Sequence, residues 1–201
     1  MKVLVLTNNT VSMPLIKWLG DREEVIVLEE IITTSDLQTI RPDLIVSYGY
    51  CDVLDKNVID GAPGKIINLH ISLLPYNRGA DLNAWSFLDG TPTGVTIHMI
   101  DAGTDAGPTL LQKSVAFDEA RDTTLASTYR VLHSELQSLF MENWAALRNG
   151  QIEPVRQSSG GSYHRSAELV ALKDRLMADQ GWNVPIRLFR DRYRQLRGQT
   201  S

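Results

Sequence analysis

The chain has 201 residues, enough for one core of ordinary size, and its 43% hydrophobic content is that of a soluble globular protein. A net charge of −4 gives no electrostatic case for binding nucleic acid or an anionic membrane. The single cysteine, Cys51, excludes an intramolecular disulfide, no apolar run reaches bilayer length, and the brief apolar start lacks a signal peptide's long core, so a cytoplasmic location is expected.

Lys2 to Thr7 predicts a buried strand, followed by the polar loop Asn8-Asn9-Thr10. Ser12 as N-cap and Pro14 early in the element predict a helix to about Gly20. Val25 to Leu28 predicts a second strand, Ser35 to Ile40 a short helix, and Leu44 to Tyr48 a third strand. Asp55 can cap a helix to about Ile59, which the Gly61-to-Gly64 stretch ends. After the strand that starts at Lys65, a polar loop over Tyr76 to Asp81 leads into a helix through Trp85, Phe87 and Leu88. Val95 to Ile100 and Thr109 to Phe117 predict two more strands. From Thr123, Leu125, Tyr129, Leu132, Leu136, Leu139, Phe140, Trp144 and Leu147 recur at helical spacing, which predicts one long helix ending near Asn149-Gly150. His133 lies within it and reads as structural. The glycine-rich stretch Gln157 to Arg165 has the composition of a connector, although Tyr163, His164 and Arg165 bring stacking and charge to it. Ala167 to Met177 and Ile186 to Arg197 predict two closing helices. The last carries five arginines beside an apolar stripe of Ile186, Phe189, Tyr193 and Leu196; this reads as a solvated face on a packed helix, with the stripe buried in the monomer or across a homodimer. Alternating short strands and helices predict a parallel sheet covered on both faces, which binds ligands beyond the carboxyl ends of its strands. The expected division is a catalytic domain over residues 1–150 and an extension over 151–201 that packs on it.

Lys65 to Pro75 carries the chemistry. Its apolar run is interrupted at Asn68 and His70, two residues apart and therefore on one face of the strand. A donor amide and a titratable imidazole side by side at a strand's end are unusual. A second stretch, Val95 to Pro108, reads as strand and then a Gly/Asp-rich loop, in which Asp105 sits among small residues that let backbone approach a ligand. Zinc chemistry would need H-E-x-x-H or C-x-x-C, a serine hydrolase G-x-S-x-G, and a phosphate cradle the Walker pattern; none occurs, and no metal is expected. The lack of G-x-G-x-x-G after the first strand argues against a dinucleotide.

With Asn68-x-His70, Ser72-Leu73-Leu74-Pro75 and Asp105-x-Gly107, the chain resembles the formyltransferases that use 10-formyltetrahydrofolate. The resemblance implies a Rossmann-like α/β fold, a mostly parallel sheet with helices on both faces and a short C-terminal helical extension. It implies transfer of a formyl group to a primary amine by the catalytic trio Asn68, His70 and Asp105. In that chemistry Asn68 donates to the developing oxyanion, His70 donates or takes the amine's proton, and Asp105 orients or charges His70. Folate is implied between two loops, with Tyr50, Asp52, Val53, Leu54, Ile100 and Asp101 as its binding residues; Val53 and Leu54 read equally well as core. Asn8, Tyr76, Arg78, Asp81 and Trp85 are implied at the acceptor.

The Asn77-to-Asp81 loop, Trp85-Ser86 and Thr91 to His98 are similar to two short subgroups, one acting on nucleotide-linked amino sugars and one formylating the first amino acid of a nonribosomal peptide. Ile71 and Leu82 stand where proline is usual. The nucleotide amino sugar is favoured, with Arg78, Arg156 and Arg165 available to a diphosphate and Tyr163 or Trp85 to a base. Peptide-linked formylation and formyltetrahydrofolate hydrolysis remain as alternatives. In a chain of 201 residues, the second, tRNA-binding domain of the methionyl-tRNA enzymes is not expected.

Overall fold

The computed structural model describes residues 1–101, 103–118 and 123–198. The chain gathers into two compact units. The first comprises Met1–His70, Thr96–Leu111 and Gln137–Gln157; the second comprises Ile71–Val95, Gln112–Leu136 and the chain from Ser158 onward. In chain order the elements begin β1 (Lys2–Leu6), α1 (Met13–Gly20), β2 (Glu24–Leu28), α2 (Thr34–Ile40), β3 (Leu44–Tyr48), α3 (Lys56–Gly61) and β4 (Lys65–His70). They continue with β5 (Arg78–Gly79), α4 (Leu82–Asp89), β6 (Gly94–Met99), β7 (Thr109–Ser114), α5 (Leu125–Glu142) and α6 (Trp144–Arg148). The chain closes with β8 (Tyr163–His164), α7 (Ser166–Val170), α8 (Lys173–Met177) and α9 (Ile186–Gly198).

The main sheet has the order β2-β1-β3-β4-β6-β7. The β2-β1, β1-β3 and β3-β4 pairs are parallel and β4-β6 is antiparallel, so the sheet is mostly parallel, as expected. Leu44 to Tyr48 is buried at every position, as a strand covered on both faces must be. In the first unit, Leu4, Leu6, Ile45 and Ile66 turn one way and pack with Leu37 of α2 and Val58 of α3. Tyr48 turns the other way, and its hydroxyl accepts from Gln137 of α5 at 3.0 Å. Trp18 of α1 meets Phe140 and Trp144 edge-on, with centroids 6.5 and 6.3 Å apart. Each such side chain contributes about 1.5–3 kcal/mol by burial.

Local chemistry sets the helix starts. Thr33 and Asp36 form a capping box ahead of α2, and Asp55 accepts from the Asn57 amide at 2.8 Å ahead of α3. The long helix expected from Thr123 to Gly150 is two helices. It stops at Glu142, Asn143 leaves helical geometry with its side chain donating to the Leu139 carbonyl at 2.8 Å, and α6 restarts at Trp144. Asparagine's short amide satisfies a carbonyl locally and so competes with helix continuation. The expected helix over Ala167–Met177 divides likewise, into α7 and α8.

In the second unit, α4, α5, α7, α8 and α9 enclose a core of Trp85, Phe87, Leu125, Leu169, Leu176, Ile186 and Phe189, against which Tyr193 and Leu196 pack. The apolar stripe of α9 thus packs within this chain, with Ile186 and Phe189 buried and Tyr193 and Leu196 partly buried. The stretch expected as a connector is ordered: Tyr163-His164 forms β8, pairing in parallel with Arg78-Gly79 of β5. Gly79 has φ of +93°, and a Cβ there would lie 2.2 Å from the His164 carbonyl, so only glycine permits this pairing. Among the described residues no helix is long and apolar enough to cross a membrane.

Candidate active site

The site is built at the end of β4 in the first unit. Strand alternation puts Asn68 and His70 on one face, and the antiparallel register sets Asn68 directly opposite His98 of β6 and His70 opposite Thr96. The Asn68 amide nitrogen lies 3.2 Å from His98 Nε2 and donates to Asp105 Oδ1 at 3.3 Å. The same carboxylate oxygen lies 3.6 Å from His70 Nδ1 and 3.6 Å from His98 Nε2. His70 and His98 stand edge to face, 5.7 Å between ring centres. The three residues expected to act together therefore do come together, with His98 as a fourth. His98 is not among the site residues that the sequence motifs single out.

Burial raises the electrostatic stakes. The His70 and His98 side chains are 4% and 2% exposed and Asp105 is 14% exposed, so water screens their interactions poorly. Asp105 is held from behind. Gln157 Nε2 donates to the Asp105 carbonyl at 2.7 Å and to the Gly107 carbonyl at 2.8 Å. Asp105 has φ of +49°, a left-handed conformation that aspartate tolerates better than most residues. A Cβ at position 107 would fall 1.9 Å from the Met99 carbonyl, so the Asp105-x-Gly107 pattern is enforced by close backbone approach. One donor atom each from His70, His98 and Asp105 lies within 4.8 Å of the others, a donor set of the kind that ligates transition metals.

A sequence profile described as Formyl transferase matches residues 27–142. The chain belongs to the formyl transferase family. Among solved structures, this chain is similar to PseJ from Anoxybacillus kamchatkensis at 36% identity and a TM-score of 0.84, over 94% of this chain and 97% of that one. PseJ was solved in complex with UDP-4,6-dideoxy-4-formamido-L-AltNAc and tetrahydrofolate. Rv3404c from Mycobacterium tuberculosis is 26% identical at a TM-score of 0.80, over 96% of this chain and 86% of that one. Among curated sequences, the methionyl-tRNA formyltransferase of Pelobacter propionicus is 34% identical over 80% of this chain and 48% of its own length. That of Solibacter usitatus is 40% identical over 60% of this chain and 39% of its own length. The chain spans half or less of the length of these curated relatives.

The remaining residues named from the sequence fall into several groups. In the first unit, Val53 is 84% exposed, while Tyr50, Leu54 and Ile100 pack against the β1–β3–β4 core. The Tyr50 hydroxyl donates to the Glu30 carbonyl at 2.9 Å and accepts from the Ile32 amide; burial holds its pKa above the ordinary value. Asn8 joins this loop, its Oδ1 accepting from the Cys51 amide at 2.9 Å and its Nδ2 donating to Asp52 at 3.2 Å. Asp101 accepts from the Gly103 amide at 2.9 Å, and Ala102 of the same loop lies outside the described residues.

Tyr76, Arg78 and Asp81 lie in the second unit on the loop that β8 straps down. Burial raises the Asp81 carboxyl above its usual range, and Lys173 pulls it partly back. Trp85 is only 4% exposed and lies flat against His164, centroids 3.9 Å apart and planes 2° from parallel. That face of the indole is taken by an imidazole and is not on offer to a nucleobase. His164 is fixed there by Asp89 at 2.7 Å and Glu168 at 3.2 Å.

Proposed function

We propose that this formyl transferase moves a formyl group from 10-formyltetrahydrofolate to the primary amine of a nucleotide-linked amino sugar, the 4-amino counterpart of the sugar named in the PseJ complex. The observation that carries the reading is the Asn68 amide held between a carboxylate and an imidazole, with a second imidazole 3.6 Å from that carboxylate. When bound, the folate supplies an electrophilic formyl carbon. Exposed Val53, beside the polar backbone of the Tyr50–Leu54 loop, suits a flat heterocycle with an apolar face, so the residues present fit that donor. Asn68 supplies a hydrogen-bond donor for the oxygen on which charge develops. His70 takes the proton of the attacking amine or holds one for the leaving nitrogen, and Asp105 stabilises the charged form of the ring. Within the second unit, Arg78 carries a positive charge and Tyr163 an exposed ring, group types that suit a nucleoside diphosphate, whereas Trp85 is buried.

The test is an assay with 10-formyltetrahydrofolate and four acceptors: the UDP-linked 4-amino sugar, a carrier-bound amino acid, methionyl-tRNA and water alone. The formylated sugar nucleotide is expected, detected by mass. His70→Ala is expected to lower turnover about 10²–10³-fold while the circular dichroism spectrum is kept. Turnover with methionyl-tRNA alone would replace the acceptor, and near-normal turnover of His70→Ala would remove the assigned chemistry.

A further inference from the structure

We infer that His98 is a positioning residue whose tautomer sets which way the Asn68 amide faces. The argument is one of hydrogen counting. His98 Nδ1 lies 2.9 Å from the carbonyl of Met99, and a carbonyl only accepts, so the ring proton sits on Nδ1. In the neutral ring Nε2 then carries a lone pair, and it is this atom that faces the Asn68 amide at 3.2 Å. The second neighbour of that amide, Asp105 Oδ1 at 3.3 Å, is also an acceptor. Two acceptors on one side require the NH2 end of Asn68 there and turn its Oδ1 away. A flipped amide would bring a carbonyl oxygen against both a lone pair and a carboxylate.

This arrangement separates the two partners by role. Both amide hydrogens of Asn68 are engaged in the resting site, so donation to a substrate oxygen requires one of them to be shared or released. The Asp105 contact is the one that yields, because that carboxylate oxygen also lies 3.6 Å from His70 Nδ1 and can turn to that ring when it carries a proton. The His98 contact persists. It is anchored by backbone at Met99, and His98 is 1% exposed, directly across the strand pair from Asn68. Of the three residues assigned to the chemistry, His98 makes its shortest polar contact with Asn68, at 3.2 Å against 3.6 Å to Asp105.

The kinetic arm of the test rests on formyl transfer; the spectroscopic arm does not. Long-range ¹H–¹⁵N spectra of the full, unliganded chain, with His98→Gln used for assignment, are expected to show His98 protonated at Nδ1 and bare at Nε2. A proton on Nε2 overturns the inference whether or not the protein turns over. In the assay above, His98→Leu is expected to lower kcat about tenfold or more with KM for both substrates little changed. His98→Gln, whose side-chain oxygen can accept from Asn68, is expected to recover part of that loss. In an Asn68→Ala background His98→Leu should cost less than about threefold further, since the residue it acts through is gone. Equal losses in both backgrounds, or no recovery by glutamine, overturn the inference. If wild type shows no formyl transfer to any acceptor, the reading above fails and the tautomer result still stands or falls alone.

Discussion

At the scale of single residues, alternation within one strand is what a sequence displays well. Asn68 and His70 interrupt an apolar run two residues apart, so their shared face could be read directly. The place of His98 beside Asn68 could not be, because it depends on β6 pairing with β4 in antiparallel register. Nothing local in Val95 to Met99 reveals that partner, although the shared parity of Thr96 and His98 offered a faint signal. Gln157 was hidden for the same reason: 52 residues separate it from the carbonyl it holds. Its side chain spans the Asp105 and Gly107 carbonyls and offers only donors to them. Gln157→Ala should therefore loosen the Asp105 loop and lower kcat about tenfold. Gln157→Glu should be worse than alanine, because it aims a carboxylate at two carbonyl oxygens. Steady-state kinetics of the two variants decide this, and a glutamate variant as active as wild type would remove Gln157 from the positioning framework.

At the scale of elements, periodicity located strands and helices but not their interruptions. The apolar spacing runs unbroken from Phe140 through Trp144 to Leu147, all buried, while the backbone breaks at Asn143. The β5–β8 pair was illegible because two-residue strands have no periodicity to read, and Trp85 was misleading because the same ring can serve a ligand or a core. What fastens the β5 loop is Asn77, fully buried with φ of +54°. Its amide donates to Ser86 Oγ at 2.9 Å and Thr91 Oγ1 at 2.7 Å, and its carbonyl oxygen accepts from Ser162 Oγ at 3.0 Å. Its backbone amide also donates to Ser162 Oγ at 2.8 Å. Asn77→Ala removes three side-chain bonds and places a Cβ residue less tolerant of left-handed geometry, at a cost of about 2–4 kcal/mol. Asn77→Gly loses the same bonds but relieves the backbone, and should be milder by about 1 kcal/mol. Urea unfolding of both variants separates the two contributions; equal losses would mean that the backbone conformation carries no strain.

At the scale of the whole molecule, the predicted alternation of strands and helices gave the mostly parallel sheet, and the strand-end rule points to the end of β4, where Asn68, His70 and Asp105 meet. The folded chain's response to acid was not written in composition, because it depends on which titratable groups are buried. His133, read from sequence as a structural residue of the long helix, is 6% exposed and packs against Tyr129 with ring centres 4.2 Å apart. Burial lowers its pKa from 6.5 to about 4. The folded state thus binds fewer protons than the unfolded state between those values, and stability falls as pH drops through that window. The full effect is about 3 kcal/mol, a large part of the net stability of a chain this size. Asp36, held below its ordinary pKa by the Thr33 hydroxyl and amide, and Glu168, held down by the Arg165 amide and His164, act in the same direction, but only below about 4.5. Asp81, raised by burial, opposes them, since acid relieves its desolvation. Between pH 6.5 and 4 His133 contributes a slope of this sign, and the difference between wild type and a variant without it isolates that share. Urea unfolding across that range should show wild type losing stability with acid, while His133→Leu, which cannot titrate, loses up to about 3 kcal/mol less over the same interval. Parallel curves for the two proteins would move the source of the acid response elsewhere.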